Sequence, residues 1–112
     1  MTDETLDPED SKIITLARSA RARTGAAEGA AVRDETGRTY AAVNVALPSL
    51  TLSALQVAVA MAVSSGARSL EAAALVTEAD AAGEADLAAV RDLGAAAFLL
   101  AGPDGTVKGR PL

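Results

Sequence analysis

The sequence contains no cysteine and no histidine, and its only aromatic residues are Tyr40 and Phe98. Without thiols and imidazoles, disulfides, thiolate nucleophiles, imidazole bases and ordinary zinc sites are excluded. The serines have no histidine partner, which excludes a conventional catalytic triad. A chain with two aromatic rings also has little material for a pocket lined by rings.

Alanine fills the place of the missing large side chains, since 28 of the 112 residues are alanine. A chain of this length is sufficient for one domain with one core. The core must therefore consist of Ala, Val, Leu and Ile, with close packing of helices and strands replacing bulk.

The net charge is −5, and the one basic run, Arg18, Arg21 and Arg23, has no interleaved aromatics. We therefore expect no nucleic acid binding and interpret this run as the solvated end of a helix. The acidic start, MTDETLDPED, lacks the pattern of a signal peptide, and the apolar run within residues 57–63 is too short to span a membrane. These features predict a cytoplasmic protein without membrane contact.

The hydrophobic pattern predicts a three-layer α-β-α domain of the α/β class, with a mixed, roughly five-stranded sheet and the order α-β-β-α-β-α-β-β. Residues 1–7 are predicted to be a disordered acidic N-terminus, and residues 8–112 a single domain. Asp7-Pro8 is a typical helix start and predicts that the first helix begins there. The predicted helices cover residues 8–23, 51–65 and 84–93, and the predicted strands cover 29–32, 39–45, 70–77, 95–101 and 106–110.

The central helix, with Pro48-Ser49 as its predicted cap, is apolar nearly all round and should be buried on more than one side. Its few polar residues, Thr51, Ser53 and Gln56, fall in the predicted first turn. They could hold a small polar ligand at the helix N-terminus, or satisfy local backbone groups and a buried water.

Several stretches, taken in their order and spacing, resemble the small, homotetrameric-type cytidine deaminases. The resemblance covers roughly residues 8–108. It is carried by GAAV at 29–32, RTY at 38–40, Asn44-Val45, LTLSALQVA at 50–58, AVSSG at 62–66 and LLAGPDGTV at 99–107.

In that family the central helix begins with Cys-Ala-Glu-Arg, whose Cys binds zinc and whose Glu shuttles protons. Here the motif is Ser53-Ala54-Leu55-Gln56. The family's Pro-Cys-x-x-Cys motif, which supplies two more zinc thiolates, would fall near residues 82–86, where this chain has no cysteine. Gly83 and Asp86 stand at the two cysteine positions and belong to the vestigial pocket that the resemblance implies. The resemblance thus implies a degenerate member with no catalytic residues, metal or cofactor, because deamination requires a metal-activated water and a carboxylate.

The nucleoside pocket is altered as well. Asn44 matches the family's ribose-binding Asn-x-Glu, but the Glu position is Ala46 and the stacking Phe position is Ala26. Asn44 could instead tie down a loop through its amide. An acidic cluster could hold a hard cation, although helix-start charges explain most of it. The cluster consists of Glu78, Asp80, Glu84 and Asp86.

The first functional hypothesis is an inactive binding or assembly module, either a homo-oligomer (dimer or tetramer) or a subunit paired with another protein. The resemblance implies assembly around the active-site helices, where the candidate interface residues are Leu47, Leu50, Leu52 and Leu55. The alternatives are a nucleoside deaminase-related enzyme with altered chemistry, or a small-molecule nucleoside sensor that uses the residual pocket.

Overall fold

The computed structural model describes residues 6–112. Within residues 6–112, three helices and seven strands follow one another along the chain. They are α1 (Pro8–Thr24), β1 (Gly29–Asp34), β2 (Thr39–Val43), β3 (Val45–Leu47), β4 (Leu50–Leu52), α2 (Ala54–Ser64), β5 (Leu70–Val76), α3 (Glu84–Asp92), β6 (Ala97–Ala101) and β7 (Val107–Gly109).

The main sheet is mixed and five-stranded, with the order β2-β1-β5-β6-β7. β1 pairs antiparallel with both β2 and β5, so β2 and β5 run in the same direction, as expected for a strand–helix–strand unit. β5 and β6 are adjacent and parallel, and β7 forms an antiparallel edge. The predicted fold class is confirmed.

The sheet separates two apolar clusters, because side chains alternate between its faces. Ile13, Ile14 and Ala17 of α1 pack on one face, against residues such as Ala72, Ala74 and Leu99. Helices α2 and α3 cover the opposite face, where Phe98 is the largest fully buried side chain. The result is the predicted three-layer order of helix, sheet and helices.

Glycine at position 29 permits the close approach of α1 to β1. A Cβ atom at this position would lie 2.1 Å from the carbonyl oxygen of Ala17 and 3.0 Å from the Cβ of Arg21. Because the first contact is backbone, any side chain at position 29 would push the helix away from the sheet.

Helix α1 confirms its predicted start and end to within a residue. The Asp7 side chain accepts a hydrogen bond from the Glu9 backbone N–H, and Pro8 occupies the first helical position. Gly25 ends the helix at φ 70°, with Arg21 and Arg23 in the last turn. The predicted disorder of residues 1–7 falls mainly on residues 1–5, which lie outside the described residues, and stays a prediction.

The sequence interpretation of residues 45–53 is wrong. These residues form a short hairpin of β3 and β4, and Pro48-Ser49 makes its turn instead of capping a helix. Helix α2 begins three residues later than predicted, at Ala54, with Ser53 as its cap, and Thr51 lies in β4. Pro and Ser suit both a turn and a helix start, so local sequence favours neither structure.

Helix α2 also differs from the prediction that it is buried on more than one side. Ala54, Leu55, Ala58 and Ala62 are buried against the sheet, whereas Met61 and Val63 are 41% and 48% exposed. Among residues 6–112, the helices are too short or too polar to cross a membrane.

The hairpin turn between β1 and β2 is organised by the buried carboxylate of Asp34. Its Oδ1 accepts hydrogen bonds from the backbone N–H and hydroxyl of Thr36, at 2.9 and 2.7 Å, and from the backbone N–H of Arg38 at 3.0 Å. Its Oδ2 accepts one from the Tyr40 hydroxyl at 3.2 Å. Burial acts to raise the pKa of Asp34, but these hydrogen bonds outweigh it and hold the pKa below its ordinary value.

We predict that Asp34→Asn lowers the melting temperature by several degrees at neutral pH, because the neutral amide accepts weaker hydrogen bonds than the carboxylate. A lowered folded-state pKa gives stability that is present above the unfolded pKa and is lost as pH falls through the folded value. The difference between wild type and variant should therefore shrink below about pH 4 in thermal unfolding. Asp80→Asn, at an exposed aspartate, is the control, and equal effects of the two variants would contradict the prediction.

Candidate functional site

The first turn of α2 is closed by a capping box. The backbone N–H of Gln56 donates to Ser53 Oγ at 3.1 Å, and the backbone N–H of Ser53 donates to Gln56 Oε1 at 2.9 Å. Two otherwise unpaired helix-start donors are satisfied in this way. The predicted interpretation of Ser53 and Gln56 as partners for local backbone groups agrees with this geometry.

A further hydrogen bond connects the start of α3 to the start of α2. The Ser53 hydroxyl donates to Asp86 Oδ1 at 2.5 Å, at the short limit for a hydroxyl–carboxylate hydrogen bond. Asp86 lies in the first turn of α3, is 4% exposed, and has its negative charge at the positive end of that helix. Gly83, the N-cap of α3, has no side chain to add to this arrangement.

Leu55 lies between these polar residues in sequence but on a different side of α2. Its side chain has no exposed surface and belongs to the cluster that contains Val32, Leu75 and Phe98. An alkyl group neither accepts nor donates a proton, so this position contributes packing. Since Leu55 has no exposed surface, it also contributes nothing to an outer interface, for which it was a candidate.

The residues at the implied zinc position do not fit the ion. Three thiolates or imidazoles are the usual donors, and this sequence has none. A glycine, a hydroxyl and one carboxylate stand there, and the hydroxyl donates its only proton to that carboxylate. Within residues 6–112, no group of three or more acidic side chains is arranged to hold a metal.

Asn44 lies apart from Ser53 and Asp86 in the hydrogen-bond arrangement. It connects β2 to β3, and its Oδ1 accepts from the backbone N–H of Glu28 at 3.0 Å, which ties the entry of β1 to the end of β2. This contact is the loop-fixing use of the amide that the sequence left as an alternative. Ala46 is exposed on β3.

Asn44 also borders an open groove with a volume of about 330 Å³. The lining residues of this groove do not include Ser53, Gln56 or Asp86. Sequence reasoning missed the contributions of α1 and of the end of β5. The lining residues are Arg21, Ala27, Glu28, Asn44, Thr77 and Glu78.

Arg21 was interpreted as part of a solvated helix end, but it has two partners. Its Nε donates to the carbonyl oxygen of Ala27 at 3.0 Å, and its Nη2 lies 3.6 Å from Glu78 Oε2. No local sequence pattern links Arg21 to Glu78, because the two residues are far apart in sequence. The Glu78 side chain is 80% exposed, so this ion pair contributes little stability.

The arrangement of three layers, with two helix starts joined at one face of a mixed sheet, matches known proteins. The sequence model of one family, described as cytidine deaminase-like, matches residues 6–105. Because that model matches most of the chain, the chain belongs to the cytidine deaminase-like family. No match was found among curated proteins.

Solved structures agree with this assignment. The cytidine deaminase from Burkholderia pseudomallei superposes with a TM-score of 0.74 at 25% identity, covering 86% of this chain and 87% of the other. A point mutant of the Mycobacterium tuberculosis cytidine deaminase gives 0.67 at 25% identity, with coverage of 86% and 85%. The Mycobacterium leprae cytidine deaminase shares the fold at 0.68 and 19% identity, with coverage of 93% and 94%.

We predict that Leu55→Glu destabilises the chain by about 3–5 kcal/mol, because it places an uncompensated charge in the core. Ala22→Glu introduces the same side chain at an exposed position of α1 and serves as the matched control. Urea unfolding measures both. If the two variants are equally stable, position 55 faces water and the packing assigned to it is incorrect.

Proposed function

We propose that this chain is a catalytically inactive member of its family that acts as an assembly module, forming a homo-oligomer through the outward side of α2 and the β3–β4 hairpin. The observation that carries the inactivity is the side chain set at the start of α2. There, a serine stands in the position of the family's metal-binding cysteine and a buried leucine in that of its proton-shuttling glutamate.

The chemistry of deamination supports this assignment. Attack on the base requires a water whose pKa is lowered by a metal, together with a carboxylate that moves protons. Asp86 is the buried carboxylate near the implied metal position, and its Oδ1 already accepts a hydrogen bond from the hydroxyl of Ser53. Since removal of one electrostatic contact costs about 3–4 kcal/mol of transition-state stabilisation, loss of metal and carboxylate together removes most of the catalysis.

We expect the purified chain to contain no stoichiometric zinc and to leave the absorbance of cytidine unchanged. As a positive control, Ser53→Cys, Gly83→Cys and Asp86→Cys are combined, which supplies thiolates at the three implied ligand positions. A Cβ at Gly83 meets no atom within 4 Å, so the new side chain has room. The triple variant should bind about one zinc per chain, as measured by metal analysis. Zinc in the wild-type protein, or its deamination of cytidine, would contradict the proposal.

The composition of α2 supports the assembly role. This helix contains no charged residue, so its outward side presents Ala60, Met61 and Val63 to solvent. Helix α1, by contrast, presents charged and hydroxyl side chains such as Lys12, Arg18 and Arg23. An outward helix side without charge is unusual for a surface that stays in water, and it indicates a contact with another chain.

The hairpin that precedes α2 adds to the apolar surface. Leu47 and Leu50, which flank its turn, are 57% and 48% exposed, and Leu52 is half-buried. A second copy of the chain suits these segments, because neither carries a charge that would repel its equivalent across a two-fold axis. Small residues such as Ala60 also allow two helices to approach closely.

We expect light scattering to give a dimer or tetramer at micromolar concentration, and the double substitution Met61→Lys with Val63→Lys to give a folded monomer. Placing two cations in an apolar contact costs desolvation without a partner charge. The control is Ala22→Lys, at an exposed alanine of α1, which should leave the oligomer intact.

A monomeric wild-type chain would rule out self-assembly. An oligomer that survives the double lysine substitution would show that its contacts lie elsewhere on the surface.

The nucleoside-sensor alternative depends on the groove beside Asn44. The Asn44 amide oxygen already accepts from Glu28, and the groove is open to solvent instead of enclosing a ligand. The apolar surface of α2 and the hairpin therefore gives assembly the stronger support.

A further inference from the structure

We infer that the hydrogen bond between Ser53 and Asp86 is a metal-independent clasp, which holds the starts of α2 and α3 together so that the fold needs no ion at this position. The inference comes from the mismatch between the implied zinc position and the donors that stand there. It does not depend on the assembly role, since a chain that fails to oligomerise would still need its helices joined.

Helix α3 has few other attachments near its start. It is nine residues long, and its N-cap, Gly83, makes no side-chain hydrogen bond to the helix. Its buried side chains are Asp86 and Val90, while Leu87 is partly buried. Since a helix this short is marginal by itself, its position depends on tertiary contacts, and the one to Asp86 lies in its first turn.

Helix α2 provides a rigid partner. Ser53 Oγ accepts from the backbone N–H of Gln56 while it donates to Asp86, so the hydroxyl is oriented from both sides. Hydrogen bonds linked in this way strengthen one another. The Asp86 carboxylate thereby connects the first turn of α3 to the N-cap of α2 through protein side chains alone.

A double-mutant cycle tests the clasp. Ser53→Ala and Asp86→Ala should each lower the melting temperature by on the order of 5 °C, and the combined variant should lose clearly less than the sum of the two. Ser53→Ala also breaks the capping box, so the same cycle is run with Gln56→Ala and Asp86→Ala. This control removes the half of the box that the Gln56 side chain makes and keeps the serine hydroxyl together with its bond from the Gln56 backbone N–H, so its two effects should add.

Two further measurements locate the effect. Amide hydrogen exchange should become faster in α3 of the Asp86→Ala variant while α1 stays protected, because α3 loses its first-turn attachment. Ser53→Thr, which retains the hydroxyl, should restore most of the wild-type melting temperature. If the alanine variants do not fold, hydrogen exchange on the milder Asp86→Asn variant gives the same comparison of α3 with α1.

The metal is tested directly with zinc chloride and with EDTA. A metal ion that binds the folded state raises the melting temperature. Since the clasp needs no ion, neither zinc chloride nor EDTA should change the melting temperature of the wild-type chain. The inference is overturned if the Ser53 and Asp86 effects add, if α3 exchange is unchanged, or if zinc stabilises the wild-type chain. Each of these results is independent of the oligomeric state.

Discussion

Close contact between α1, the sheet and α2 is the constraint on which the rest of this structure depends. Ala30, Ala31, Ala72, Ala73 and Ala74 form the middle of the sheet, and all five are fully buried. Small side chains bring the helices close to the strands, so stability comes from many short contacts instead of a few large rings. The same constraint explains glycine at position 29, where α1 and β1 leave no space for a Cβ.

This packing positions the two helix starts at one side of the sheet. Helix α2 is fixed by Leu55 and Ala58 in the core, which places Ser53 beside the first turn of α3. The scaffold is that of the cytidine deaminase-like family, whereas the side chains at the helix starts are suited to hydrogen bonding and packing. The sheet and its two helix layers are stabilised mainly by buried residues away from the helix starts, so the fold does not dictate the chemistry of the side chains at those starts.

The two sides of the sheet meet solvent differently. Helix α1 exposes the charged residues Lys12, Arg18 and Arg23 to solvent, whereas α2 contains no charged residue. A sheet of this kind needs a helix on each face, but that need does not explain why one of the helices is also apolar on its far side. This asymmetry is the feature on which the proposed assembly role rests.

Local patterns were sufficient for much of the fold. Pro8 after a capping aspartate, the acidic-Gly turn before Arg38, and the apolar run at 70–77 predicted α1, the first hairpin and β5, because each depends on neighbours in sequence. The stretch at 53–56 contributed to the resemblance from which the family was predicted, and the family model that matches residues 6–105 confirms that family. Pro48-Ser49 was misinterpreted because the same residues favour a turn and a helix start.

The sequence by itself determined the class of fold, the absence of sulfur and imidazole donors, and the residues that start α1 and α3. Only the tertiary structure decided that Leu55 packs in the core, that Asn44 binds Glu28, that Arg21 reaches Glu78, and that Ser53 meets Asp86. The physical reason is range. Periodicity and capping act within a few residues, whereas these contacts form only after the chain has brought distant segments together.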